Sequence, residues 1–90
     1  MDIEYDQDKR EFTLRQRGLD FADAREVFAG PVLTDENVRH AYGEPRFISM
    51  GVPKIRIVVL VWTPRNGKCR IISMRYANER EREKYTGRLG

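Results

Sequence analysis

Hydrophobic positions change their period about halfway along the chain. Between Phe21 and Ala29 the apolar residues Phe21, Ala24, Val27 and Phe28 recur three or four apart, the spacing that lines one face of a helix. From Phe47 to Tyr76 they gather into short blocks rich in Val, Ile and aromatics, bounded by Gly51, Pro53, Asn66 and Gly67, as strands and turns require.

Punctuation residues sharpen these elements. After a short strand at Ile3–Tyr5, the Asp6 carboxylate suits the free amides of a first helical turn, which predicts a helix over Gln7–Arg17. Gly18 closes it in a left-handed conformation, with Leu19 packing back on the last turn. Asp20 caps a second helix from Phe21 to about Ala29, which Gly30 and Pro31 stop. Val32, Leu33 and Thr34 read as a short strand, and the polar Asp35, Glu36 and Asn37 as the start of a loop reaching Pro45. Strands are predicted at Phe47–Met50, Lys54–Thr63 and Lys68–Tyr76. The last two form a hairpin around Pro64, Arg65, Asn66 and Gly67, because Asn-Gly tolerates the positive φ angles of a tight reversal. Asn78 and Glu81 have the spacing of a reciprocal cap, so a final short helix runs from Glu79 to about Thr86. Together these elements predict one small α+β domain over residues 1–90: a small antiparallel sheet, two amino-terminal helices and a carboxy-terminal one.

Strict alternation across that hairpin divides its residues between two faces. Arg56, Val58, Leu60, Trp62, Cys69, Ile71, Ser73 and Arg75 fall on one; Ile57, Val59, Val61, Thr63, Arg70, Ile72, Met74 and Tyr76 fall on the other. The second is more uniformly apolar and is expected to meet the helices. Ser73 and Arg75 then open onto a partly uncovered surface, with Arg65 at the hairpin tip and Arg70 near a strand end.

Charge adds an asymmetry to this picture. Residues 1–45 carry six basic and eleven acidic side chains, residues 46–90 eleven basic and three acidic, so the sheet-forming half is strongly cationic. The acidic half offers helix surfaces to a basic partner. The longest apolar run, Ile57–Trp62, is far too short to span a bilayer, and the first residues lack a signal peptide's basic flank and apolar stretch, so a cytoplasmic, non-membrane protein is expected. One cysteine, Cys69, excludes an intrachain disulfide and a cysteine zinc cluster.

Candidate chemistry therefore rests on cations. Arg65, Lys68, Arg70 and Arg75, with Arg46, Lys54 and Arg56 on neighbouring strands, present guanidinium forks that match phosphate oxygens and keep their charge at neutral pH. The plainer reading is a solvated basic surface. Tyr5, Tyr42, Tyr76, Tyr85 and Trp62 are interleaved with these charges, and single-stranded RNA stacks its bases on such rings. Tyr85 and Tyr5 are the surface candidates; Trp62 and Tyr76 are assigned to packing. His40 is the only histidine and falls in the least patterned stretch, and no metal-ligand motif, phosphate-binding glycine loop or nucleophile elbow occurs, so no metal or cofactor is expected. Glu81 is explained by capping, and the alternating charges of Glu79–Lys84 by a solvated, ion-paired helix.

Read as an ordered set, these segments resemble a known family. Glu4-Tyr5-Asp6, Lys9, Gly18-Leu19-Asp20-Phe21-Ala22, Ala24 and Val27-Phe28 are followed by Arg46-Phe47-Ile48, Gly51 and Arg65. Arg70-Ile71-Ile72-Ser73-Met74-Arg75 then precede a helix carrying Glu81 and Tyr85, and the whole is similar to the BrnT toxins. The resemblance implies a RelE-like fold and a metal-independent ribonuclease of a bacterial type II toxin–antitoxin module, neutralised by a BrnA-like ribbon-helix-helix antitoxin in a hetero-oligomer that binds operator DNA through the antitoxin. It also implies Arg65, Ser73, Arg75 and Tyr85 as catalytic residues, with Arg46 and Arg70 as RNA contacts. Thr13, Gln16 and Arg17 stand where the family pattern has Asn and then Lys-His, and Met74 where it has Ala.

Three readings follow. In the first, a ribose 2′-hydroxyl attacks the adjacent phosphorus while Arg65 and Arg75 stabilise the phosphorane, Ser73 orients it and Tyr85 passes a proton to the leaving oxygen. In the second, loss of the Lys-His pair leaves a non-catalytic partner and corepressor of the antitoxin. In the third, the chain only binds RNA.

Overall fold

A computed structural model describes residues 2–36 and 43–89 of the chain. In chain order it forms β1 (Ile3–Glu4), α1 (Gln7–Arg17), a 3-10 turn (Phe21–Asp23) running directly into α2 (Ala24–Ala29), β2 (Leu33–Glu36), β3 (Phe47–Gly51), β4 (Val58–Arg65), β5 (Lys68–Tyr76) and α3 (Glu79–Leu89).

Local chemistry fixes the ends of these elements. The Asp6 carboxylate accepts from the amides of Asp8 and Lys9 at 2.8 and 3.3 Å, and Gly18, at φ 70°, closes α1 by donating to the Leu14 carbonyl at 3.0 Å. Asp20 accepts from the Ala22 amide at 2.9 Å and grips Arg10 through two bonds of 2.8 and 2.9 Å, tying α1 to the turn that follows. The Arg10 guanidinium holds the Asp20 carboxyl below its ordinary value. Asn66 and Gly67, at φ 54° and 73°, make the two-residue β4–β5 reversal. At α3 the Asn78 amide donates to Glu81 Oε1 at 2.9 Å while the Glu81 amide donates to Asn78 Oδ1 at 2.8 Å, the reciprocal cap expected from the sequence.

The sheet is five-stranded, in the order β1-β5-β4-β3-β2, and mixed rather than purely antiparallel. Strands β2 to β5 form an antiparallel meander, but β1 joins the outer edge of β5 in parallel, with Ile3 opposite Cys69 and Glu4 opposite Arg70. Two residues of strand carry no signal of their partner, which is why the pattern missed this pairing. Boundaries also move, and α3, expected to end near Thr86, runs to Leu89. The second strand extends through Asp35 and Glu36, which pair with Ile48 and Phe47, so pairing overrides their polar character. The long strand expected from Lys54 starts only at Val58, because Pro53 opens a bend and Arg56 leaves the sheet to lie 3.9 Å over the Tyr76 ring.

Both faces of the sheet carry apolar residues, and the amino-terminal helical segment takes the face opposite to the one expected. Leu19, Phe21, Ala24 and Val27 pack on Val58, Leu60, Cys69, Ile71 and Met74, all nearly inaccessible to solvent. Each such large side chain contributes on the order of 1.5–3 kcal/mol on burial. Trp62 extends this layer, stacked on Phe47 at 4.8 Å and edge-on to Phe28 at 5.7 Å, with its indole N–H donating to buried Ser49 Oγ at 2.9 Å. On the other face a smaller cluster of Met50, Val59 and Ala77 meets Tyr85 of α3.

A second departure changes the facing of the end of β5. From the turn to Trp62, which pairs with Ile71, the hairpin keeps the expected register; the next pair is Val61 with Ser73, leaving Ile72 as an extra residue in β5. Beyond this bulge Leu60 faces Met74, Val59 faces Arg75 and Val58 faces Tyr76. Met74 and Tyr76 therefore turn toward the helical layer, and Ser73 and Arg75 turn away from it to join Thr63, Arg70, Val61 and Val59.

Candidate functional site

The bulge places Arg65, Arg70, Ser73 and Arg75 on one side of the β4–β5 hairpin, at the rows Arg65/Lys68, Thr63/Arg70, Val61/Ser73 and Val59/Arg75. Neighbouring rows on one face lie about 7 Å apart, so Arg65 and Arg75, three rows from each other, are separated by ~20 Å along the strands. Two arginines that far apart do not converge on one phosphate. They form a track, with Ser73 and Arg75 adjacent at one end and Arg65 at the hairpin tip. Continuing the β3–β4 register by one residue sets half-buried Arg46 level with Thr63 and hence with Arg70; the Thr63 hydroxyl donates to the Pro45 carbonyl there.

Each arginine of the track already meets a carboxylate. Arg65 Nη2 lies 3.2 Å from Glu44, and Arg70 Nη1 lies 2.7 Å from Glu4, its neighbour across the β1–β5 pairing. Arg75 makes the fullest contact, a two-pronged one: Nη1 to Glu81 Oε1 at 2.7 Å and Nη2 to Oε2 at 2.8 Å, with Nη1 also donating to the Tyr76 carbonyl at 3.3 Å. This end-on fork leaves the Nε edge of the Arg75 guanidinium outside these bonds. Hydrogen bonding to Arg75 holds the Glu81 carboxyl down at about 2 and raises Arg75 above its ordinary value.

Glu81 was read from sequence as a capping residue only. It caps α3 and grips Arg75 with the same carboxylate, linking the helix start to the end of the track. No periodicity announces a contact made across a strand end, a turn and a cap, so the pairing was invisible in the sequence. It has a measurable consequence. A depressed carboxyl pKa contributes stability that is complete above the unfolded value, near 4.5, and is lost as pH falls toward about 2. Arg75 is 45% exposed, so solvent screening leaves roughly 1 kcal/mol of this effect. Across pH 6 to 2, the difference in thermal midpoint between the parent chain and Arg75→Ala is expected to shrink through that window; a constant difference would mean the pair is not formed.

The Tyr85 hydroxyl is turned to another partner. The residue is half-buried against the Met50–Val59 cluster, and its hydroxyl donates to the Pro31 carbonyl at 2.8 Å, next to the Lys84–Asp35 pair that joins α3 to β2. The cluster includes Val59, the cross-strand partner of Arg75, so the ring packs on the same face as Arg75 while its hydroxyl turns to the segment before β2. Tyr5 packs edge-on to Phe21 at 5.9 Å and is half-buried, while Trp62 and Tyr76 join the main core as assigned. Cys69 is buried, which pushes its thiol up to about 12 and keeps it protonated. His40 and Tyr42 lie outside the described residues. Among the described residues no group of three His, Cys, Asp or Glu side chains gathers in a way that could hold a metal ion, and no helix is long and apolar enough to cross a membrane.

Arg17, the last residue of α1, reaches β5 directly. Its Nη1 donates to the Met74 carbonyl at 2.9 Å, between Ser73 and Arg75 in the chain. The end of α1 is thereby fastened beside the track, a contact between residues 57 apart that no local signal predicts.

Comparison with known families matches residues 5–81 to the model of the ribonuclease toxin BrnT of type II toxin–antitoxin systems. A search of curated proteins finds no match. The matched stretch runs from Tyr5 to Glu81 and so contains Arg46, Arg65, Arg70, Ser73 and Arg75. With the capped helices, the cationic hairpin face and nearly the whole chain inside that match, the chain belongs to the BrnT family of ribonuclease toxins of type II toxin–antitoxin systems.

Proposed function

We propose that the chain is an endoribonuclease that cleaves at the Ser73–Arg75 end of the track. The ribose 2′-oxygen bonds to the adjacent phosphorus and the bond from phosphorus to the 5′-oxygen breaks. The 2′-hydroxyl gives its proton to solvent water and the leaving 5′-oxygen takes one from water, giving a 2′,3′-cyclic phosphate and a 5′-hydroxyl. The observation that carries this reading is the end-on grip of Glu81 on Arg75, which fixes a permanent cation beside Ser73 and engages the two Nη atoms rather than the Nε edge. A donor fixed before reaction stabilises charge developing on the phosphorane oxygens without reorganising. Ser73 orients the phosphate; Arg70, Arg46 and Arg65 hold phosphates further along. The pairs that engage Arg65 and Arg70 are surface or half-buried ones of small net value, which a polyanion replaces.

The chemistry so assigned draws on cations and hydroxyls of the chain itself, in the RelE-like architecture that the resemblance implies. The partner is a BrnA-like ribbon-helix-helix antitoxin, which carries the complex to operator DNA. Tyr85 is assigned here to packing, since Pro31 takes its hydroxyl. Loss of cleavage in Tyr85→Phe at unchanged stability would restore it as the proton shuttle. The direct test is incubation of the purified chain with unstructured RNA in the presence of EDTA. Cleavage with 5′-hydroxyl ends is expected, and intact RNA would overturn the reading.

One observation favours the quiescent alternative, a toxin homologue retained as antitoxin partner: every arginine of the hairpin track is neutralised by a carboxylate. Cleavage of naked RNA separates the two.

A further inference from the structure

Helix α1 is turned the wrong way for a purely structural helix. It buries Thr13 and leaves Phe12 57% exposed. The exposed ring does not face open solvent alone, because an open groove of about 590 Å³ runs between this helix and β5, lined by Lys9, Phe12, Arg15 and Arg17 on one side and Ile72 and Ser73 on the other. Asp8 is the one acidic residue on its wall, against three cations. Lys9, Phe12 and Thr13 are spaced to share a helix face, as are Asp8, Phe12 and Arg15. The groove has the size of a small-ligand site and opens onto the same Ser73 that stands beside Arg75.

We propose that this groove is a base-binding subsite, in which the nucleobase flanking the scissile phosphate of single-stranded RNA stacks on the Phe12 ring while Lys9 and Arg15 meet the sugar–phosphate backbone. The inference rests on the ribonuclease reading above and extends it from phosphate chemistry to base recognition. Three observations support it. A flat aromatic ring is presented without a partner ring among the described residues; cations flank it on its own helix; and Arg17, fixed on the Met74 carbonyl, holds the helix end against the strand that carries Ser73. A base plane and a ring attract by stacking whatever the base, with larger purines favoured by their area. Phe12 is therefore a specificity-determining residue, and the expected preference is for a purine on one side of the cut.

The test uses the full chain and a short single-stranded RNA made non-cleavable by 2′-O-methylation, with affinity read by fluorescence anisotropy. Phe12→Ala is expected to bind roughly tenfold more weakly, within the range a base–ring stack supplies, and Phe12→Trp to bind at least as well as the parent. Since the ring is exposed, both variants should keep the parent's thermal midpoint. On the all-ribose version, Phe12→Ala should lose the purine bias in mapped cut sites, with the change in KM rather than kcat. Equal affinity of Phe12→Ala and parent would overturn the subsite, as would a variant that binds RNA normally but no longer binds the antitoxin, which would make the groove a protein interface. Binding by the parent that depends on Phe12 without any cleavage would instead sink the nuclease reading and leave the subsite standing.

Discussion

Arg75→Ala is expected to cleave RNA about 100- to 1,000-fold more slowly than the parent chain, the loss typical of removing one fixed donor to a developing oxyanion, and to relieve growth arrest when expressed without antitoxin. Little else should change. The Arg75 side chain is half-exposed, and its removal leaves Glu81 still accepting from the Asn78 amide, so α3 keeps its cap. The lost ion pair is worth about 1 kcal/mol at most. Single-turnover cleavage rates beside denaturation curves measure both quantities together. A variant that is equally stable and equally fast would remove Arg75 from the chemistry.

Phe21→Ala should lose activity for the opposite reason. Phe21 is 1% exposed, sits among Leu19, Ala24 and Val27 over the sheet, and meets the Tyr5 ring edge-on at 5.9 Å. Truncating a buried phenylalanine costs about 3–5 kcal/mol. That is a large share of the ~5–15 kcal/mol available to a small domain. Thermal unfolding is expected at least ~12 °C lower, at several degrees per kcal/mol, with cleavage lost in proportion to the unfolded population and regained on cooling. A midpoint within a few degrees of the parent would mean that the layer repacks around the gap. Placed beside Arg75→Ala, this variant separates loss of chemistry from loss of fold.

What the sequence made legible is what depends on near neighbours. Asp6, Gly18 and Asn78 announce helix ends because each acts on amides or carbonyls within a few residues, and Asn66-Gly67 fixes its turn through its own φ angles. The cationic side of the hairpin was foreseen in part: Ser73 and Arg75 lie off the face that the Phe21–Val27 layer covers, although alternation had placed them with Leu60 and Trp62 and had put Arg70 on the opposite face. Two departures offset one another there: the helical segment packs on the opposite face, and the bulge at Ile72 moves Ser73 and Arg75 off it. The contacts of Arg75 with Glu81, Arg70 with Glu4 and Arg17 with Met74 depend on register and on packing across the chain, and side-chain type alone carries no trace of them. The Tyr85 hydroxyl donates to the Pro31 carbonyl, another contact between distant residues that side-chain type does not announce.

The single unpaired residue at Ile72 also bears on how such a chain can vary. Pairing the stretch from Arg70 to Arg75 regularly, with no residue left over, would keep the turn and every apolar residue around it, yet would rotate a guanidinium into the oily interior and send a methionine out to water. In this family member the pairing of one strand, as much as its composition, decides which way its arginine faces.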